Sequence, residues 1–276
     1  MRNMRLGVVL FLVVLLLSTL VAACSDDVQV WIDKGVEYGE KGEWEKAVES
    51  CNEAINIDPK NRWAYNNRSS YYIELGEYEK ALEDANKALM LDPDFVEAYI
   101  NRGWVKNRLK KYNEAIEDLT KAIAIDPSYK KGYLHRSASY IRLLKYDEAI
   151  TDCDTVLGMD PNDDWALNNR GWIYFEQGEY KKALDDLSKA HLANPDDEYT
   201  LDSRSNVYLK LGRYEEAMAD INKALAINPE YWFAYLTRGL NYEAQGKKEE
   251  ALADFKKACD NGEDDGCKAY DELLKK

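Results

Sequence analysis

The prolines of this chain have a regular spacing that few folds produce. Successive prolines lie 34 residues apart, and each one follows an aspartate or an asparagine. Because the residue before a proline is disfavoured in the helical region, each of these steps predicts the end of a helix. An end placed identically in six successive segments is typical of a stack of repeated units. The six prolines are Pro59, Pro93, Pro127, Pro161, Pro195 and Pro229.

The period divides the chain into seven units, each expected to hold two helices. The twentieth residue of every unit is alanine and the eighth is glycine or serine, so the two helices can approach closely. In five units a glycine lies between the helical halves, where a left-handed residue is expected to end the first helix. These glycines are Gly42, Gly76, Gly178, Gly212 and Gly246. The units are 28–61, 62–95, 96–129, 130–163, 164–197, 198–231 and 232–265.

This pattern of length, small residues and proline resembles the tetratricopeptide repeat (TPR) over residues 28–265. The resemblance implies an all-α fold, a right-handed superhelical TPR solenoid of seven helix-turn-helix repeats. Solenoids need a polar-backed cap on their last repeat, and residues 266–276 form an amphipathic stretch that is predicted to be a capping helix.

One position departs from the family pattern. The seventh residue, usually apolar, is arginine in six units, and the same six units carry aspartate at position 23. The first unit lacks both, which indicates that the two are partners, since a lone buried charge is costly. A structural salt-bridge ladder is the favoured interpretation, and an anion-binding ladder is the alternative. The residues are Arg68, Arg102, Arg136, Arg170, Arg204 and Arg238, with Asp84, Asp118, Asp152, Asp186, Asp220 and Asp254.

The N-terminus has the layout of an export signal. Residues 1–23 combine a short basic start with an apolar run, and they end in small residues before Cys24. This ending resembles a bacterial lipoprotein signal, which implies lipidation of Cys24, a short tether over 24–27 and membrane attachment through the lipid. The implied location is the cell envelope, at the periplasmic face of the outer membrane in a Gram-negative organism and otherwise outside the cell membrane. An uncleaved membrane helix over the apolar run is the alternative.

Charge and residue usage argue against nucleic-acid binding and catalysis. The formal net charge is −14, which repels phosphate, so no nucleic-acid partner is expected. The only histidines are His135 and His191, and no metal-ligand or phosphate-loop motif occurs. We therefore expect no catalytic residues, no metal and no cofactor, and a protein that is not an enzyme.

The resemblance implies a concave surface formed by the first helix of each unit. Asparagines at its fifth and sixth positions suit the backbone of an extended peptide, because an amide both donates and accepts hydrogen bonds. Tryptophans at the second and ninth positions are typical interface anchors, although they could instead pack between helices. The predicted binding residues are Trp63, Asn66, Asn67, Asn101, Trp104, His135, Trp165, Asn169 and Trp172.

These residues predict an adaptor that binds a protein or an extended peptide for envelope assembly or recruitment. The family's carboxylate clamp requires a lysine at position 5, and no unit has one, so no carboxylate-clamp tail ligand is expected. A self-associating structural scaffold of the envelope is the alternative function.

Four cysteines remain after Cys24. Cys259 and Cys267 resemble the bridged helix pairs of exported Sel1-like repeats, which implies a disulfide between them. Cys51 and Cys153 lie three units apart and are interpreted as small buried core residues.

Overall fold

The computed structural model describes residues 27–275, and within them the chain is helical without strands. The predicted signal segment 1–23 and the lipidation of Cys24 lie outside the described residues. Within residues 27–275, no helix combines the length and the apolar character needed to span a membrane.

The seven 34-residue segments, called repeats from here on, are distributed over two compact units, and the division between the two units falls inside one helix, α7. Up to residue 139 the first unit holds α1 (residues 27–40), α2 (Trp44–Ile57), α3 (Arg62–Glu74), α4 (Tyr78–Leu91), α5 (Val96–Arg108), α6 (Tyr112–Ile125) and the start of α7 (Lys130–Arg142). From residue 140 the second unit continues with α8 (Tyr146–Met159), α9 (Asp164–Glu176), α10 (Tyr180–Ala193), α11 (Glu198–Lys210), α12 (Tyr214–Ile227), α13 (Trp232–Ala244), α14 (Lys248–Asp260) and α15 (Asp264–Lys275).

In the first six repeats the second helix ends just before the proline, as predicted. Helix α2 ends at Ile57, two residues before Pro59, and the intervening Asp58 is extended. The Asp58 carboxylate accepts a hydrogen bond from the backbone N–H of Lys60 at 3.0 Å. An aspartate before the proline therefore satisfies a backbone donor in the turn that follows the helix. The same arrangement recurs at Asp92, Asp126, Asp160 and Asn228.

The turns between the paired helices need a left-handed residue, which confirms the glycine prediction. The five glycines named above have φ between 71° and 76°. In the two remaining turns Lys110 and Leu144 adopt φ of 60° and 58°, a conformation that costs a residue with a side chain more than it costs glycine.

Small residues hold the two helices of a repeat in contact. The alanine at position 20 is fully buried in all seven repeats. A Cβ on Gly103 would lie 2.7 Å from Leu119 Cγ, and a Cβ on Gly171 would lie 2.7 Å from Leu187 Cγ. In the second repeat the equivalent residue is Ser69, whose side chain is accommodated and whose hydroxyl donates to the Ala81 carbonyl at 2.8 Å. The core of each unit is therefore a continuous seam of such contacts along the paired helices.

The last helix covers the end of the second unit. Helix α15 begins at Asp264, two residues before the predicted start of the cap, and packs against α14. Leu273 is buried in a cluster with Ala251 and Phe255. Cys259 and Cys267 are joined by a disulfide, with Cα atoms 4.5 Å apart. This helix thus removes from water the apolar side of the final repeat.

Candidate binding surface

In at least five repeats, the arginine at position 7 is bound to the aspartate at position 23 of the same repeat. Arg68 Nε and Nη2 donate to the two carboxylate oxygens of Asp84, each at 2.7 Å. Asp84 is buried, so its charge is compensated where water cannot reach it. The same two-bond geometry joins Arg102 to Asp118, Arg170 to Asp186, Arg204 to Asp220 and Arg238 to Asp254.

Most of these arginines also reach the preceding repeat. Arg68 Nη1 donates to Asn52 Oδ1 at 2.5 Å, and Arg102 Nη1 donates to Asn86 Oδ1 at 2.8 Å. Both acceptors lie sixteen residues upstream, at position 25, and residues with polar oxygens there include Thr120, Asp154 and Asn222. The ladder therefore also ties one repeat to the next, which sequence reasoning missed although the polar character of position 25 was visible.

Burial and pairing act in opposite directions on the ladder carboxylates. Burial raises the pKa of Asp84, while the hydrogen bonds and charge of Arg68 oppose that rise. Removing the arginine would leave burial acting alone on this carboxyl group. Because Nε and Nη2 of these guanidinium groups donate to a buried carboxylate, this geometry supports a structural ladder and not a surface that binds anions.

In the first unit, the amides predicted to bind a peptide bind each other. Asn101 Nδ2 donates to the side-chain oxygen of Asn66 at 2.9 Å and to its carbonyl at 3.2 Å. Asn66 is buried by this contact between α3 and α5. Asn67 is partly exposed, and no described residue hydrogen-bonds its side chain. An exposed amide ladder was expected, and of these three residues Asn67 alone keeps both amide atoms available.

His135 is placed inside the first unit and not at its surface. The side chain is 8% exposed, and the pKa of His135 is lowered to about 3 by burial, with Lys131 and Arg108 adding to the effect. Its carbonyl accepts from Asn107 Nδ2 at 3.1 Å, and Asn107 Oδ1 accepts from Ser139 at 2.7 Å. A neutral buried imidazole here supports packing between α5 and α7.

Of the two tryptophans of the first unit that were predicted to bind, one ring is exposed and one is packed. Trp63, at the second position, is 43% exposed and lies edge-on to Phe95, with 4.6 Å between ring centroids. Trp104, at the ninth position, packs against a core cluster that includes Val105. Arg108 covers the Trp104 ring at 4.7 Å. The tryptophan at the second position is therefore exposed, whereas the tryptophan at the ninth position packs between helices.

The second unit repeats this division. Trp165 is 43% exposed at the second position of α9, whereas Trp172 lies against Phe175 with ring centroids 5.1 Å apart. Asn169 is buried. Its neighbour Asn168 has a buried Oδ1 that accepts no hydrogen bond from the described residues. Trp165 is thus the predicted binding residue that the second unit presents most openly.

Two aromatic residues that the sequence prediction omitted extend this surface. Tyr199 and Phe233 occupy the second position of α11 and α13, and they are 54% and 50% exposed. The Tyr231 ring joins them, with centroids 5.2 Å from Tyr199 and 5.8 Å from Phe233. Helix α11 packs against both α9 and α13. We call Trp165, Tyr199, Tyr231 and Phe233 the aromatic strip.

A buried carboxyl group lies beneath the strip. Asp202 Oδ2 accepts from the Tyr231 hydroxyl at 3.3 Å, and Asn206 Nδ2 bridges the Asp202 carbonyl at 3.0 Å and Thr237 Oγ1 at 3.2 Å. Burial raises the pKa of Asp202 to about 6, against the hydrogen bonds of Thr237 and Tyr231. No group of three or more side chains in residues 27–275 has the ligands for a metal ion.

Comparison with known proteins assigns most of the chain to one family of repeats. Models of the tetratricopeptide repeat match residues 28–61, 63–95, 96–129, 165–197, 206–231 and 234–261. No curated protein matches the chain.

Solved structures show the same fold. A tetratricopeptide repeat protein from Parabacteroides merdae is 25% identical with a TM-score of 0.69, over 91% of this chain and 98% of its own. PilF of Pseudomonas aeruginosa is 17% identical with a TM-score of 0.65, over 77% and 96%. A chain of the APC/C hetero-tetramer Cut9–Hcn1 is 17% identical with a TM-score of 0.80, over 87% of this chain and 48% of its own. The last two are likenesses of fold alone.

Proposed function

We infer, from the premise that the chain belongs to the tetratricopeptide repeat family, that it is an adaptor whose first helices bind another protein. The observation that carries this inference is the exposure of aromatic rings at the second position of those helices. Trp63 and Trp165 each leave 43% of their surface in water, although tryptophan is among the residues that proteins bury most. Exposed aromatic rings of this kind anchor partners at interfaces.

The binding residues that we propose are fewer than the sequence predicted. Trp63, Asn67 and Trp165 have surface to offer a partner, and Tyr199 and Phe233 join them. Asn66, Asn101, His135 and Asn169 support the helices that carry these side chains, as do Trp104 and Trp172. An extended peptide would then be held mainly by its side chains against aromatic rings, with few bonds to its backbone.

We further propose that the adaptor is attached to a membrane of the cell envelope through a lipid on Cys24. The support is the sequence of residues 1–24, with its basic start, apolar run and small residues before the cysteine. Radiolabelled palmitate should enter the protein, and Cys24→Ala should abolish the labelling. Labelling that persists in the variant, or a mature protein that retains residues 1–23, would contradict the attachment.

The binding function is tested by capture of the partner with matched variants. We expect Trp63→Ala and Trp165→Ala together to weaken capture by at least tenfold, because truncating an aromatic anchor costs about 2 kcal/mol or more. Met90 and Leu192 are matched controls, since both are exposed apolar residues on second helices, in α4 and α10. Equal loss of capture in Met90→Ala and Leu192→Ala would place recognition elsewhere.

A further inference from the structure

We propose that the aromatic strip of the second unit is a docking surface for a lysine- or arginine-rich segment of the partner protein. This inference rests on the proposed adaptor function and names the chemical class of the segment. Three features of the described residues carry it: the spacing of the rings, the lack of the protein's own cations over Tyr199, Tyr231 and Phe233, and the charge that surrounds the strip.

The spacing of the strip suits an extended chain. Trp165, Tyr199 and Phe233 lie at the same turn of three helices, and α11 packs against α9 and α13. Helices in contact lie about 8–10 Å apart, so the strip is about 20 Å long from Trp165 to Phe233. An extended segment in the polyproline II conformation covers about 3.1 Å per residue, and its side chains return to the same side every three residues. About six residues therefore span the strip, with one side chain of every three over a ring.

Three rings of the strip, Tyr199, Tyr231 and Phe233, differ from the exposed ring of the first unit, which has a cation of the protein beside it. The Arg62 guanidinium lies 5.7 Å from the Trp63 ring and 5.3 Å from the Phe95 ring. Among residues 27–275, no lysine or arginine lies over Tyr199, Tyr231 or Phe233. Because the face of an aromatic ring attracts a cation, these rings can accept one from a partner.

The charge around the strip also favours a cation. Residues 140–276 contain 29 acidic and 18 basic residues, against 21 and 17 in residues 27–139. The loops and first turns that lead into the strip contain Asp163, Asp164, Asp196, Asp197, Glu198 and Glu230. The corresponding places in the first unit contain four basic residues, Lys60, Arg62, Lys130 and Lys131, beside two acidic ones, Asp94 and Glu97. The second unit therefore presents its rings in a negative field, although the aromatic positions are equivalent.

Two of these carboxylates are hydrogen-bonded by neutral amides, which leave their negative charge in place. Asp164 accepts from the neutral amide of Asn194 at 2.9 Å, and Glu198 accepts from that of Asn228 at 3.2 Å. Asp196 is paired with Lys223 at 3.1 Å. Such a surface repels nucleic acid, anionic lipid and a second copy of this acidic chain, whereas it attracts a basic segment.

The test uses a defined probe and the purified full chain. The probe is a nine-residue peptide with lysine at positions 2, 5 and 8 and alanine elsewhere, and its matched control has glutamate at those positions. Isothermal titration at 50 mM NaCl should detect binding of the lysine peptide alone, and 500 mM NaCl should weaken it. Tyr199→Leu with Phe233→Leu keeps apolar bulk but removes both rings, and it should weaken binding about tenfold.

The controls separate this inference from the adaptor function. Leu192→Ala, a change on the second helix α10, should leave peptide binding unchanged, and circular dichroism should show that the double variant remains helical. Unchanged binding by the folded double variant, equal binding of the glutamate peptide, or no binding of the lysine peptide at millimolar concentration would overturn the cationic docking surface. The adaptor function would survive that result if Trp63 and Trp165 still governed capture of the partner.

Discussion

Arg68 and Asp84 are joined by two parallel hydrogen bonds of 2.7 Å, across sixteen residues of sequence and between two helices of one repeat. The third donor of the same guanidinium reaches Asn52 in the preceding repeat. A charged pair thus replaces the apolar contact usual at this position, and it joins three helices. Paired planar geometry of this kind is specific to arginine, since a lysine cannot reproduce it.

Removing one member of this pair should destabilise the protein strongly. Arg68→Ala leaves the Asp84 carboxylate buried without its counter-charge, and we expect a loss of about 3–5 kcal/mol in the free energy of unfolding. The double variant with Asp84→Ala should lose less than the sum of the single losses, as measured by urea denaturation. The exposed pair of Lys189 and Asp185 is the control, and Asp185→Ala should change stability by less than about 0.5 kcal/mol. Strict additivity at Arg68 and Asp84 would contradict the coupling.

The residue at position 8 and the residue that it contacts at position 24 should be exchangeable between repeats only as a pair. Gly103→Ser introduces a side chain where Leu119 Cγ lies 2.7 Å away, and it should cost about 1–3 kcal/mol. Leu119→Ala alone leaves a cavity and should cost about 2–5 kcal/mol. Together they copy the native combination of Ser69 and Ala85, so thermal melting should show a smaller loss than the sum. A fully additive loss would mean that these two positions do not pack on each other.

Asp202 predicts a definite dependence of stability on pH. Its folded pKa of about 6 lies above the value of about 3.9 expected for an unfolded chain. Between these values the folded protein holds a proton that the unfolded chain has lost, so the contribution of Asp202 to stability falls as pH rises from about 4 to 6. The side chain of the Asp202→Asn variant stays neutral at every pH. As pH rises from 4 to 7, we therefore expect the free energy of unfolding of the variant to increase by about 2–3 kcal/mol relative to that of the wild type.

Denaturation at a series of pH values measures this difference directly. Subtracting the wild-type curve from the variant curve removes the contribution of every other carboxyl group. A difference that stays constant from pH 4 to pH 7 would show that Asp202 is ionised normally in the folded protein.

Loss of the disulfide should weaken only the end of the second unit. Cys259→Ser with Cys267→Ser opens a short loop, and the usual chain-entropy model gives a cost of about 2–3 kcal/mol. Because repeats contact only their neighbours, hydrogen exchange should quicken in α14 and α15 and stay unchanged in α9. Faster exchange throughout the chain, or free thiols in protein isolated from cells, would contradict this expectation.

The sequence predicted the repeat, the helix ends and the left-handed turns because each depends on local backbone chemistry. An aspartate followed by a proline, as at Asp58 and Pro59, favours the end of a helix through local backbone chemistry. The small residue at position 8 packs only against a residue of the same repeat. The pairing of Arg68 with Asp84 could be predicted for the same reason, since both residues lie within one repeat.

The surface was less predictable, because burial depends on neighbouring repeats. Trp63 and Trp104 are both tryptophans of first helices, yet one is exposed and the other meets Tyr78 and Val105. The bond from Asn101 to Asn66 joins two repeats, and no pattern within one repeat shows it. Tyr199 and Phe233 did carry a signal, an aromatic residue at the second position, but the prediction weighed tryptophans alone.

Photocrosslinking in cells tests most directly the claim that exposed rings on the first helices contact the partner. A photoreactive amino acid would replace Trp165 in one protein and Leu192, which is exposed on the second helix of the same repeat, in another. We expect the same partner protein to be crosslinked at least ten times more efficiently from position 165 than from position 192. Equal yields, or a higher yield from position 192, would contradict the account and move recognition to the second helices.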